Sequence, residues 1–280
     1  MTSSEDVVQV ARGEWELSAK GWDDHHRSLA EHGAPVQERM ITLLAPERGE
    51  SILELAGGLG DLSRQLAAAV GPDGTVLCTD LAEGMIEAAR ERTPTDSPVT
   101  FRVMDAHDID IEDDSVDAVV CKMGLMLTPD PDAVVAECRR VLRPGGRLVA
   151  ATWGPMERNL WIATFGAAML AHGHVPPGDP GEPGGIFSLS TPAALSEILE
   201  RGGFDSVEAE VVAAPETVAS FDAYWELRRD TSGPLTAVLQ GLDDEEVTAI
   251  RATCEEYAAH LRADDGSYTF PGEAVVARAQ

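Results

Sequence analysis

The stretch ESILELAGGLGDLS, residues 50–63, places an acid, Glu54, near the end of an apolar run and then turns through Ala56-Gly57-Gly58-Leu59-Gly60. SILEL (51–55) is short, apolar and bounded by turn formers, which predicts a buried strand. The glycines keep bulky side chains out of the turn. A ligand can then approach the backbone beside a helix N-terminus that favours a carboxylate or phosphate. Glu54 is placed to accept from the turn's amides or from a cationic ligand group. A glycine-rich turn alone is weak evidence, because tight strand–helix turns use glycine for geometry.

Outward from this turn the chain alternates. LSRQLAAAV (62–70) has helical spacing and stops at Gly71-Pro72. TVLCTD (75–80) is a second strand, GMIEAARERT (84–93) a helix and VTFRVMD (99–105) a third strand. VDAVVCKM (116–123) is a fourth strand. PDAVVAECRRVL (131–142) is a helix ended by Arg143-Pro144-Gly145-Gly146, and RLVAATW (147–153) is a fifth strand. Such alternation implies βαβ units and a parallel sheet with helices on both faces. Beyond Trp153 come an apolar helix (159–171), a Pro/Gly-dense loop (172–190) suited to a lid, a helix (192–204) and a strand (205–213). Further helices (221–230 and 243–264) precede a last strand (267–279). No internal repeat is present.

The expected architecture is α/β, a doubly wound, seven-stranded, mostly parallel Rossmann-like sheet with a helical cap inserted after the fifth and sixth strands. Residues 1–45 are expected to be N-terminal helices covering the ligand site, and 46–153 the binding core. Residues 154–191 and 214–266 are expected to cap a substrate pocket, and 192–213 and 267–280 to complete the core.

Bulk properties restrict the partners. The 280 residues hold 21 Lys+Arg against 49 Asp+Glu, a net charge of −28. That acidity opposes binding to nucleic acid or anionic membranes. Hydrophobic residues make up 44% of the chain, enough for a real core. The four cysteines form no CxxC pair, so neither a zinc site nor a redox pair is expected. Cys78 and Cys121 read as buried thiols. MTSSEDVVQV lacks the features of a signal peptide, and the apolar run 160–171 is far short of the roughly 20 residues of a membrane span. The expected setting is cytoplasmic, with a small-molecule substrate and a monomeric or homodimeric chain.

Ligands of an open parallel sheet lie beyond the carboxyl ends of its strands. Asp80 ends the second strand and can accept from both hydroxyls of a ribose. Asp105, followed by Ala106, ends the third and can accept from an exocyclic adenine amine. The backbone of Cys121-Lys122-Met123-Gly124 ends the fourth. Each acid alone is more often a helix cap or a solvated turn residue. Their recurrence at successive strand ends is what points to a nucleoside.

LELAGGLG, VLCTD, VTFRVMDAHDI and VDAVVCKMGLMLTPDPDAVVAECRRVLRPGGRL together resemble the class I S-adenosylmethionine-dependent methyltransferases. The resemblance is strong over roughly 45–155 and weak over the last two strands. It implies that Glu54, Gly58 and the neighbouring backbone of Ala56, Gly57 and Gly60 hold the methionine part of the cofactor. It further implies Asp80 on the ribose, Leu81 and Met85 flanking adenine, Asp105 and Ala106 at the adenine edge, and Lys122 and Met123 lining the cleft. S-adenosylhomocysteine would be the product. Ala56 stands where the family usually has its first glycine, which is tolerable if its φ is negative. CKMGLMLTPD (121–130) is also similar to the matching segment of quinone-biosynthesis C-methyltransferases. A nicotinamide cofactor is the rival, but Gly58-x-Gly60-x-x-Ser63 lacks the last glycine of that fingerprint.

The implied reaction is displacement at a sulfonium methyl by a carbon or oxygen of a small aromatic, quinone-like or polyketide-like acceptor. The protein must align the nucleophile and, where needed, remove a proton. His107, His25 and His26 are candidate bases, and for each the plainer reading is a solvated histidine. Trp22, seven residues after Trp15, belongs either to a lid or to helix packing. Trp161, Phe165, Met169, Tyr224 and Trp225 line a substrate pocket or form the cap's own core. Three other functions fit the same residues. They are cofactor-assisted cyclisation, decarboxylation or rearrangement without methyl transfer, a cofactor-sensing module, and an NAD oxidoreductase.

Overall fold

The computed structural model describes residues 4–174 and 179–280. Seven strands form one sheet in the order β3-β2-β1-β4-β5-β9-β6. They are β1 (Ser51–Leu55), β2 (Thr75–Asp80), β3 (Val99–Val103), β4 (Val116–Lys122), β5 (Leu142–Trp153), β6 (Val207–Ala213) and β9 (Glu273–Ala279). β1 to β5 run parallel, and β9 lies antiparallel between β5 and β6. The strand order reverses at β1, which pairs with β2 on one side and β4 on the other. That reversal opens a crevice beyond the strand tips, where ligands of such sheets bind.

Near-continuous apolar strands are what a sheet covered on both faces requires. Leu53, Leu55, Val119, Cys121 and Leu148 pack under α5 (Pro131–Val141) and α7 (Pro192–Arg201). Ile52, Val76, Cys78, Val120 and Val149 pack under α2 (His26–Leu44) and α3 (Asp61–Val70). All four cysteines are buried and unbridged. α1 (Ser4–Asp24) crosses α4 (Glu83–Glu91) and also meets α8 (Phe221–Thr231). The cap holds α6 (Leu160–Ala171), α8, α9 (Pro234–Gln240) and α10 (Asp244–Ala258). A small antiparallel sheet of β7 (Glu216–Val218) and β8 (Tyr268–Phe270) completes it. No described helix is long and apolar enough to cross a membrane.

Three boundaries differ from the sequence reading. The single strand expected over 267–279 is two strands in two sheets, β8 in the cap and β9 in the core. Pro271 cannot donate to a ladder, and Gly272 packs so tightly on Ala214 that a Cβ would lie 2.0 Å from its carbonyl oxygen. β5 starts at Leu142, because the Arg-Pro-Gly-Gly turn is a register shift within the strand, with Gly145 at φ +81°. β3 stops at Val103, so Asp105 lies in the following loop. Of the loop read as lid-like, Val175–Gly178 fall outside the described residues.

Candidate active site

The crevice is built by two strained turns facing each other. After β1, Ala56, Gly58 and Gly60 all take left-handed backbone, with φ of 51°, 52° and 71°. The condition under which the sequence reading found alanine tolerable here, a negative φ, is therefore not met. The turn needs a left-handed residue there, which costs a residue with a Cβ roughly 1–2 kcal/mol. The turn after β4 supplies the matching space, since a Cβ on Gly124 would lie 2.4 Å from Ala56 Cβ. Met123 is left-handed as well, at φ 60°. Such clustering of unfavourable backbone marks functional sites. Gly57 donates to Thr79 O at 2.8 Å, and its missing side chain leaves room for Cys78 Sγ.

Glu54 is 1% exposed. Its carboxylate accepts from Ser63 Oγ of α3, and its Oε1 is buried without a partner. Burial pushes its pKa up to about 7, against the pull of Ser63 and of the Lys122 charge. Lys122, half-buried at the tip of β4, donates to Gln37 Oε1 of α2 at 2.5 Å. Burial lowers its pKa, opposed by Glu54. Asp80 Oδ2 accepts from Gly58 N at 2.9 Å and Oδ1 from Ala82 N at 3.0 Å, so its carboxylate ties the first turn to the second. Burial raises its pKa and these amides hold it back. Asp105 Oδ1 accepts from the backbone N of His107 at 2.9 Å and from His107 Nδ1 at 2.7 Å. That pairing lowers the Asp105 pKa and raises that of His107, with burial opposing both. His107 Nε2 is buried and unpartnered.

Known proteins share this framework. Residues 53–150 match the family model described as a methyltransferase domain. The chain is 36% identical, over 42% of its own length and 50% of the relative, to the ubiquinone/menaquinone biosynthesis C-methyltransferase UbiE of Cupriavidus metallidurans. It is 43% identical, over 38% of its own length and 42% of the relative, to the demethylmenaquinone methyltransferase of Clavibacter sepedonicus. The chain thus spans at most about half the length of these curated relatives. The crystal structure of the cyclase SpnF aligns with 88% of this chain and 79% of its own at a TM-score of 0.52 and 19% identity, a likeness of fold alone. Over residues 53–150 the chain is thus similar to S-adenosylmethionine-dependent methyltransferase domains.

The methyltransferase domain presents residues that fit that cofactor. The orphaned Glu54 Oε1 is an acceptor for a cationic group, and Gly58 is open enough that a Cβ would meet nothing within 4 Å. Leu81 is half-buried beside Asp80. Met85, 2% exposed, packs with Leu59 and Ala82 against Ala19, Trp15 and Trp22 of α1. Ala106 is half-buried next to the Asp105–His107 pair. The structure therefore gathers Glu54, the Ala56–Gly60 turn, Asp80, Leu81, Met85, Asp105, Ala106, Lys122 and Met123 along one edge of the domain.

The other candidates lie elsewhere in the packing. His25 Nε2 pairs with Asp230 Oδ2 of α8 at 3.0 Å, and His26 Nδ1 meets Asp23 O at 3.1 Å. Both side chains pin the α1–α2 junction, with His25 reaching the cap. Trp22 Nε1 donates to Thr231 O at 3.1 Å, again from α1 to α8. Trp161, Phe165, Met169, Tyr224 and Trp225 belong to one buried cluster, in line with the second of their two readings, the cap's own core. Tyr224 donates to Trp161 O at 2.8 Å and stacks on Phe270, while Phe165 meets Trp225 edge-on at 5.6 Å. All five are 6% exposed or less.

Sequence reasoning missed a buried charge cluster where the cap joins the methyltransferase domain. Glu216 Oε1 contacts His32 Nδ1 at 3.1 Å and Arg228 Nη2 at 2.8 Å, with all three residues 7% exposed or less. His32 stacks on Trp153 at 5.2 Å, and the Arg228 guanidinium lies 4.8 Å from the Trp161 ring centroid. Nothing in the spacing of residues 32, 216 and 228 signals their meeting, which depends on how the cap folds back.

Proposed function

We propose that the protein is a methyltransferase that moves a methyl group from S-adenosylmethionine to a carbon or oxygen of a small aromatic, quinone-like or polyketide-like molecule. The observation that carries the reading is the buried, unpartnered oxygen of Glu54 at the strand-order reversal, within a matched methyltransferase domain. The quinone methyltransferases among its relatives support the acceptor class. The bound cofactor supplies an electrophilic methyl on a sulfonium, so the chain's own work is positioning. Glu54 accepts from the ammonium of the methionine end. Asp80, with one lone pair of each oxygen already used, keeps capacity for ribose hydroxyls. Asp105 and Ala106 border the adenine edge. His107, with Nδ1–H directed at Asp105, keeps an Nε2 lone pair able to accept a proton or an amine hydrogen.

Parallel calorimetric titration with S-adenosylmethionine, S-adenosylhomocysteine and NAD tests the reading. Binding of the first two and not the third is expected, followed by S-adenosylhomocysteine release with quinone-type acceptors. NAD binding alone would overturn the cofactor. Cofactor-dependent conversion of the acceptor with no S-adenosylhomocysteine formed would move the protein to the non-transferring enzymes.

A further inference from the structure

Glu54 and Lys122 are the charged residues at the tips of two paired strands, β1 and β4. They share a face of the sheet, because each lies two residues beyond an α2/α3-facing side chain, Ile52 and Val120. Each feels the charge of the other, yet each is bound to a neutral partner, Ser63 for Glu54 and Gln37 for Lys122. Glu54 Oε1 is left over as an acceptor. An ammonium carries three N–H groups and Gln37 takes one, so Lys122 is left over as a donor. Lys122 Nζ lies beside Gly33 of α2, where a Cβ would stand 3.9 Å away, at ordinary contact distance.

An acceptor and a donor set side by side, joined to neutral partners, complement a zwitterion. We propose that Lys122 anchors the carboxylate of the cofactor's amino-acid end while Glu54 takes its ammonium. Lys122 thereby makes the site prefer nucleosides that keep the carboxylate. This rests on the methyltransferase reading above. It adds a specificity role for a side chain that sequence reasoning placed in the cleft by its backbone alone. The alternative role for Lys122 is a strut between β4 and α2, which would contribute to stability and not to ligand choice.

The test is calorimetric titration of the full chain and of its Lys122→Met and Lys122→Gln variants with three nucleosides. These are S-adenosylhomocysteine, its decarboxylated analogue and 5′-methylthioadenosine, which lacks the amino-acid end. The intact protein should bind S-adenosylhomocysteine about tenfold or more tighter than the decarboxylated analogue, the scale of one hydrogen bond between charged groups. Both variants should lose that margin by weakening for S-adenosylhomocysteine alone, with 5′-methylthioadenosine unchanged. Thermal unfolding of each variant establishes that it is folded, and the glutamine variant keeps the Gln37 contact if methionine disturbs the packing. A margin that survives in folded variants overturns the carboxylate role and leaves Lys122 a strut. Failure of the unmodified protein to bind any of the three overturns the cofactor reading itself, and the Lys122 role with it.

Discussion

Ala56 and Gly124 are a matched pair across the mouth of the β1–β4 crevice: the methyl of one occupies the space left by the missing Cβ of the other, to within 2.4 Å. Gly124→Ala should therefore destabilise the protein by about 1–3 kcal/mol, the usual cost of overpacking. Ala56→Gly removes the left-handed cost of roughly 1–2 kcal/mol and adds a glycine's chain-entropy cost of about 0.5–1 kcal/mol. It should be neutral or mildly stabilising. The double variant should recover most of the loss, so a urea-unfolding cycle ought to give a coupling of at least about 1 kcal/mol. Additive effects would mean the two turns do not touch.

The buried Glu216 cluster makes a separate prediction. Burial raises the Glu216 pKa, but Arg228 and His32 outweigh it and hold the carboxyl below its usual range. Glu216→Gln leaves the buried Arg228 guanidinium without its counter-charge and should cost about 3–5 kcal/mol in chemical denaturation. Replacing the pair together, Glu216→Leu with Arg228→Met, should recover much of that. A loss below about 1 kcal/mol for the single change would show that water reaches the cluster.

Much of this fold could be read from the chain because local patterns carry it. The apolar runs of β1 and β4, the Gly71-Pro72 stop after α3 and the Asp130-Pro131 start of α5 each act within a few residues. Asp80 at the end of β2 was readable for the same reason, whereas Asp105, read as ending β3, lies two residues past it in the loop. What escaped depends on tertiary closure. The φ of Ala56 is set by a turn 68 residues away at Gly124, the role of Ser63 by the way α3 lies against β1, and the His32–Glu216–Arg228 meeting by the cap's return to the core. The cap aromatics were ambiguous because core and pocket demand the same residue types.

Asp80→Ala removes an acceptor from two backbone amides, Gly58 N and Ala82 N, and from the ribose in the proposed cofactor site. It should weaken S-adenosylmethionine binding at least about tenfold and lower stability by about 1–3 kcal/mol. Affinity measured by titration and stability by urea unfolding separate the two effects. Unchanged affinity in a folded variant would remove Asp80 from the ribose.

Glu54 links the site to pH. Its folded pKa, raised to about 7, exceeds that of an unfolded glutamate, so the folded free protein holds the extra proton. Stability therefore falls as pH rises from about 4.5 to about 7, by up to something on the order of 3 kcal/mol. A cationic ligand group reverses the preference, because an ammonium beside Oε1 favours the carboxylate. Cofactor binding should accordingly release up to about one proton near pH 6 and tighten as pH rises toward 7. Calorimetry at pH 6 in buffers of different ionisation enthalpy measures that proton directly. In Glu54→Gln the release and the pH-dependent loss of stability should both disappear relative to the unmodified protein. Proton release that persists in the variant would place the titrating group elsewhere, with Asp80, also raised by burial, the next to replace.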